Sequence, residues 1–246
     1  MEKNTDFVRG NLESSKFSHL RPSYYEGVNA IKEMEYSTED FMNYFPCFVG
    51  HLTLARYLSL FEIYKKTLGI AGHIAEVGIY KGAASIMFAK LTMLYESTTL
   101  TQVHGFDWFK GAANLSAEDK DTILEGSYYE PKGRVEALLK AQNLEHIVKL
   151  HDMDMTSKSV KQFFEHNQHL MFKIVMFDIG IYDVVKNCLP LFWERLIVGG
   201  IIIFDQFNFD IAPGETRAIR ELLPNAVIRT FPHGWMPNAY IIKEAS

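Results

Sequence analysis

The chain has 246 residues, 48% hydrophobic and 22% charged, enough to bury a full core as one α/β domain with an appendage. A net charge of −5 with no dense Lys/Arg stripe argues against nucleic acid as the main partner. Cys47 and Cys188 stand alone in apolar surroundings, so they read as buried thiols of a reducing compartment, not as a disulfide framework or a metal site.

The start, Met1 to Asp6, is polar and lacks an apolar signal core, and the longest apolar runs are too short to span a membrane. A soluble cytoplasmic protein is expected. Residues 1 to about 35 are polar and aromatic without clear periodicity, as for an arm or a mobile segment. Ser37-Thr38-Glu39-Asp40 has the composition of a helix start ahead of Phe41, Met42 and Tyr44. Leu54, Tyr57, Leu58, Phe61 and Tyr64 recur at helical spacing between Leu52 and Leu68, and Gly69 ends that helix. Residues 1–70 thus read as an N-terminal helical cap or arm. Its aromatics Tyr24, Tyr25, Tyr36, Phe41, Tyr44 and Phe45 could cover an acceptor site or make the contact of a homo-oligomer.

From His73 onward strands alternate with helices. Strands are expected at 73–78, 102–107, 147–152, 173–179 and 199–205, and helices at 83–95, 132–142, 157–167, 182–195 and 214–222. The alternation implies a parallel sheet covered on both faces, and runs such as Ile174 to Phe177 and Ile201 to Phe204 fit strands buried on both sides. The end differs: Ala226 to Phe231 and Asn238 to Lys243, joined by Pro232 to Pro237, leave no room for a helix and should form an antiparallel hairpin.

The first strand ends in Glu76-Val77-Gly78-Ile79-Tyr80-Lys81-Gly82. Ligands of α/β sheets bind at the carboxyl ends of strands, where Gly78 would let the backbone turn and approach a ligand and Gly82 would let the helix pack close. Bulky Tyr80 stands where a dinucleotide fingerprint needs its second glycine, Glu76 would repel phosphate, and Lys81-Gly82-Ala83 is no Walker loop. A cofactor with an ammonium and no phosphate fits better, and S-adenosylmethionine is such a molecule. Asp107, ending the next strand, is placed to accept from ribose hydroxyls. Five parallel strands and a terminal antiparallel pair match the class I methyltransferase architecture, a Rossmann-like fold with a seven-stranded, mostly parallel sheet. A nicotinamide oxidoreductase would usually continue with a sixth parallel strand.

Several blocks together carry a family resemblance. Ala75 to Ser85, Phe106-Asp107-Trp108-Phe109-Lys110-Gly111, Phe177-Asp178-Ile179-Gly180-Ile181-Tyr182, Gly199-Gly200, Ile203-Phe204-Asp205-Gln206-Phe207 and Glu215 to Ile219 resemble the macrocin O-methyltransferase family of sugar O-methyltransferases in macrolide biosynthesis. The resemblance covers roughly residues 70 to 245 and makes 71–246 an S-adenosylmethionine-binding methyltransferase domain. It implies a cofactor-binding set of Glu76, Val77, Gly78, Tyr80, Gly82, Ser85, Asp107, Trp108, Asp152, Met153, Asp178 and Tyr182. The family binds Mg²⁺ with Asp-Gly-Asp and Asp-Asp motifs. Here Asp178 and Asp205 match one member of each, while Gly180 and Gln206 replace the others, which puts metal dependence in doubt.

Methyl transfer to a hydroxyl needs alignment and a proton acceptor. Asp178 and Asp205, ending neighbouring strands, are the first candidates. His233 in the terminal hairpin loop follows, then His104 and His151. Asp152 and Met153 end the third strand, where adenine would lie, with Asp154 a rival by one register step. Trp108 and Phe109 could wall the cofactor. Residues 110 to 131 form a long polar insertion, with Ser116 to Asp119 capping a short helix and Tyr128, Tyr129 and Pro131 following, as in a lid. The expected function is O-methylation of a sugar, nucleotide sugar or other small polar precursor. The alternative is a cofactor-binding protein that has lost catalysis and serves a regulatory or scaffold role.

Overall fold

The computed structural model describes residues 14–113, 115–117, 119 and 123–245. The polar start 1–13 and Glu118 of the anticipated insertion helix lie outside the described residues.

Three helices come first: α1 (Arg21–Glu33), α2 (Thr38–Asn43) and α3 (His51–Lys66). Alternation follows with β1 (His73–Val77), α4 (Ala83–Tyr95), β2 (Val103–Asp107), α5 (Lys132–Ala141), β3 (Val148–Asp152), α6 (Ser157–His166), β4 (Phe172–Phe177), α7 (Tyr182–Arg195), β5 (Leu196–Phe204), α8 (Pro213–Leu222) and β6 (Ala239–Ile242). The strands form a six-stranded sheet in the order β3-β2-β1-β4-β5-β6. β1 to β5 run parallel and β6 pairs antiparallel with β5. Because β2 and β4 flank β1 on opposite sides, the connections after β1 and β4 diverge and open a crevice at the carboxyl edge.

The alternation of side chains along each strand sorts the core. Ile74, Ile174, Met176, Ile201 and Ile203 pack with Leu60 and Ile63 of α3 and Phe88 of α4. Ala75, Val77, Val175, Phe177, Ile202 and Phe204 pack with α6, α7 and α8. Glu76 therefore points to the α3/α4 face, which decides what it can meet.

Three expectations need correction. The seventh strand is absent: of Ala226 to Phe231, only Arg229 bridges Tyr240, through reciprocal N–H to carbonyl bonds of 2.9 Å. Thr230 Oγ1 takes the Asn238 carbonyl at 2.9 Å, and Pro232 has no N–H, so the ladder cannot extend. The segment before Glu33 is a helix, α1, begun by Pro22 in its first turn. Tyr24, Val28 and Ile31 recur at helical spacing and are half-buried, a short stripe set among polar residues. Of the cysteines only Cys188 is buried, its thiol pushed up to about 12 by burial and then by Asp154; Cys47 is exposed. No helix among the described residues is long and apolar enough to cross a membrane.

His104 and His151 sit inside the sheet region, stacked with ring centroids 5.2 Å apart and Nδ1 to Nε2 at 3.0 Å. Neither lines the ligand crevice, so neither serves as the base considered from sequence. Burial lowers both, His104 to about 3 with His151 adding repulsion, and His151 to about 4. Both are neutral in the fold and titrate near 6.5 when unfolded. Between those values the unfolded chain binds more protons, so stability should fall as pH drops below about 6.5, by up to about 1.4 kcal/mol per pH unit per histidine. Denaturant unfolding from pH 7 to 4 should show His104→Phe losing less stability than wild type. Equal losses would contradict this.

Candidate active site

The site starts at the switch point between β1 and β4. Gly78 has φ 86°, and a Cβ there would lie 2.4 Å from the Asp178 carbonyl oxygen, so only glycine fits both the backbone and the contact. Glu76, 1% exposed, accepts the Ser85 N–H at 2.8 Å and the Ser85 hydroxyl, tying β1 to the first turn of α4. Asp107 at the end of β2 accepts N–H bonds from Ile79 at 2.8 Å and Phe109 at 2.7 Å. Its carboxylate is thereby held beside the β1 turn, with lone pairs left for a ligand.

On the other side stands a residue that pattern reasoning missed. Arg56 of α3 donates from Nη2 to Asp178 Oδ2 at 2.5 Å and from Nη1 to Asp205 Oδ1 at 2.6 Å. His51, Leu52, Thr53, Arg56 and Tyr57 form the face of α3 that lines the crevice. The legible signal was a lone arginine on one face with Leu52, four residues apart. Behind them Glu215 of α8, fully buried, accepts the Gln206 N–H at 2.8 Å. A Cβ on Gly180 would lie 2.0 Å from Gln206 Oε1 and 2.6 Å from the Ala212 Cβ. The two departures from the family pattern are therefore one packing solution: the glutamine amide fills the space that a side chain at 180 would need.

Burial works against the charge of three acids here. Burial raises Glu76 to about 8, with Asp178 adding repulsion and Ser85 and Arg56 opposing. Burial also raises Asp205 well above the carboxylate range against the pull of Arg56, and raises Glu215 with Asp205 adding to it. Burial works against the Arg56 charge, but Asp205 and Asp178 outweigh it and keep the guanidinium cationic.

Arg56, Glu76, Asp107, Asp178 and Asp205 wall a cavity of about 720 Å³, ample for a nucleoside cofactor and a small acceptor. Of the expected residues, Glu76, Gly78, Tyr80, Asp107, Trp108, Asp178 and Asp205 line it. The others do not. Val77 packs on the α6–α8 face and Ser85 is spent on Glu76. Gly82 caps α4 next to Val135, and Phe109 packs with Ile79 and Val135. Asp152 and Met153 fall short, because the chain runs on past β3 and brings Asp154 and Met155 to the wall. Tyr182 turns its hydroxyl to Glu221 at 2.7 Å. His233 lies 4.0 Å from Glu62, and its neighbours Trp235 and Met236 line the cavity in its place.

The insertion closes one side. Ala112, Ala113, Ile123, Leu124, Ser127 and Tyr128 line the cavity, and the Tyr128 ring meets Tyr80 edge-on at 5.7 Å. Asp119 accepts the Tyr182 N–H at 3.1 Å, capping α7 from a distant loop where Ile181 offers no side-chain cap.

Does the donor set fit the implied groups? The bare backbone at Gly78, the oriented Asp107 and the acidic wall suit a cationic nucleoside such as S-adenosylmethionine. Mg²⁺ does not fit. Arg56 engages both carboxylates, Gly180 offers no ligand, and the Gln206 amide is packed away. No group of three or more His, Cys, Asp or Glu among the described residues could hold a metal ion.

The fold and this site define a class I methyltransferase. A family model for a methyltransferase domain matches residues 75–207, more than half of the chain, and the chain belongs to that family. It is an S-adenosylmethionine-dependent methyltransferase. The crystal structure of CalS11, a calicheamicin methyltransferase, is similar at 25% identity and a TM-score of 0.81, covering 90% of this chain and 93% of that one. Apo CalS11, described as a TDP-rhamnose 3'-O-methyltransferase, matches at 24% identity and 0.74, over 90% and 94%. The O-methyltransferase NovP shares the fold at 16% identity and 0.63, over 78% and 80%. The resemblance to sugar O-methyltransferases therefore holds. No curated protein matches the sequence.

Glu76 is protonated below about 8 in the free protein, and a cationic ligand favours its ionised form. Calorimetry with S-adenosylhomocysteine should show affinity rising from pH 6.5 to 8, by up to about tenfold per pH unit. Glu76→Gln should flatten the dependence. A flat wild-type profile would contradict this role.

Proposed function

We propose that the protein transfers a methyl group from S-adenosylmethionine to a hydroxyl of a small polar acceptor, a sugar or glycoside. One observation carries this reading. Asp178 and Asp205 end neighbouring central strands on the wall of the same cavity as Glu76, Gly78 and Asp107. Bound cofactor would supply an electrophilic methyl on a sulfonium.

The residues divide the work. Asp107 accepts from the ribose hydroxyls, Glu76 faces the ammonium, Asp154 accepts from the adenine amine, and Trp108 walls the nucleoside. Asp178, with its side chain 24% exposed against 1% for Asp205, is the base: the hydroxyl proton passes to its carboxylate as the oxygen–carbon bond forms. Residues 1–70 act as a cap. Leu20, Ser23, Tyr24 and Tyr57 line the acceptor half together with Phe209 and Trp235, giving aromatic faces to a sugar ring. Residues 110–131 act as a lid, latched by Asp119.

With Glu76 protonated below about 8, the wall still sets Asp107, Asp154, Asp178 and Asp205 against the cations Arg56 and Lys81. That balance favours a neutral glycoside over a nucleoside-diphosphate sugar. Exposed Phe41, Met42, Tyr44 and Phe45 offer a surface for a homo-oligomer, and free cysteines suit the cytoplasm. The scaffold alternative has no support, since both strand-end carboxylates are kept and aligned.

The test is transfer of labelled methyl to a panel of glycosides and nucleotide sugars. Neutral glycosides should turn over, and no turnover with any hydroxyl acceptor would contradict the reading. Asp107→Ala should weaken S-adenosylhomocysteine binding by about 2–4 kcal/mol, and unchanged affinity would remove the ribose assignment. Asp178→Asn should lower kcat by about 10²–10⁴-fold with cofactor affinity nearly intact. Wild-type kcat in that variant would place the base elsewhere.

A further inference from the structure

We propose that Arg56 is a built-in cation that stands in for the divalent ion of related enzymes, positioning Asp178 and Asp205 for the acceptor hydroxyl. The proposal rests on the methyl-transfer reading above. Its ground is geometric. One guanidinium spans the ends of β4 and β5, giving one η nitrogen to each carboxylate at 2.5 and 2.6 Å. A divalent ion between the same strand ends would hold the same two oxygens. The planar fork fixes both acids at once, as a lysine could not.

The surroundings make the arrangement permanent. Arg56 leaves α3 beside Ala55, Ser59 and Leu60, all buried, so its backbone is held by the core. Asp205 is 1% exposed, and among the described residues Arg56 is its ion-pair partner. Gly180 and Gln206, which replace two carboxylates, take away the additional anionic ligands that would draw in a metal, and the Gln206 amide occupies the vacated space. The loss of those acids and the presence of Arg56 are two halves of one exchange: two negative charges leave the site, and a fixed positive charge takes over the bridging of those that stay.

The arrangement also assigns labour between the acids. Asp205 is enclosed and anchors the guanidinium, while Asp178 is more open to the cavity and meets the acceptor. Arg56 acts through these carboxylates, which makes it a positioning residue. When the acceptor proton moves to Asp178, the guanidinium keeps that carboxylate aimed while its charge changes.

The experiment begins with the wild-type protein saturated with S-adenosylhomocysteine and titrated with Mn²⁺ under electron paramagnetic resonance. No stoichiometric Mn²⁺ binding is expected, and turnover should survive EDTA. One bound Mn²⁺ per chain with EDTA-sensitive turnover would overturn the proposal. Arg56→Ala should still bind S-adenosylhomocysteine, lose about 100-fold in kcat under saturating cofactor, and regain activity on adding guanidinium ion at non-denaturing concentration. Wild-type kcat, or no rescue in a variant that still binds S-adenosylhomocysteine, would overturn it. Arg56→Lys keeps the charge without the fork and should also lose kcat with binding intact; wild-type kcat there would remove the positioning role. If the wild type fails to bind S-adenosylhomocysteine at all, the methyl-transfer reading fails, and the Mn²⁺ titration still decides the metal question.

Discussion

The bridge from Arg56 to Asp178 and Asp205 is the constraint on which the rest of the site depends. It joins the face of α3 to the ends of β4 and β5, and it does so in a place where an unpaired charge would be strongly destabilising. Two carboxylates at the tips of adjacent strands repel each other, and the guanidinium between them offsets that repulsion. The guanidinium ties the N-terminal half of α3 to the carboxyl edge of the sheet, while Leu60 and Ile63 further along the helix pack on its face. The N-terminal segment is thereby drawn over the cavity, which is why Leu20, Ser23 and Tyr24 reach its wall.

The sheet provides the rigidity that this geometry needs. Its two faces are filled by separate apolar clusters, so the strand ends are fixed before any polar group is considered. A second buried ion pair supports the other side of the sheet. Lys173 at the start of β4, completely buried, meets Glu96 at the end of α4, and Tyr64 of α3 donates to the same carboxylate. Cations from α3 and β4 thus pin opposite edges of the sheet, one at the ligand edge and one at the base. The insertion after β2 is held differently, by the cap from Asp119 to α7 and the ring contact of Tyr128 with Tyr80.

Much of the fold was legible because its signals are local. Continuous apolar strands alternating with helices from His73 to Leu222 show in any short window, and Glu76 and Asp107 stand at strand ends that the periodicity marks. What was illegible depends on long-range contacts. Arg56 meets acids 122 and 149 positions away, and no local pattern reports that. Asp119 caps a helix 63 positions on, and its role as an anchor follows only from the packed structure. The helix α1 has only a short stripe, Tyr24, Val28 and Ile31, half-buried among polar residues, so its periodicity is easily passed over. Asp154 and Met155, not Asp152 and Met153, line the cavity after β3, because a strand's end does not say how far the following loop continues along it. The final hairpin was overread, since one bridge and a threonine side chain replace the expected ladder.

The departures at Gly180 and Gln206 read at first as missing ligands, and the packing gives them a positive reason. A side chain at 180 would collide with the Gln206 amide and with Ala212, so restoring one acid without changing the other would strain the site. The most direct test of this account is a crystal structure of the complex with S-adenosylhomocysteine, grown with MnCl₂ and measured for anomalous scattering. The account requires the nucleoside to run from Gly78 past Asp107, the Arg56 guanidinium to lie between Asp178 and Asp205, and no anomalous peak there. A manganese peak between the two carboxylates with Arg56 turned away would contradict it.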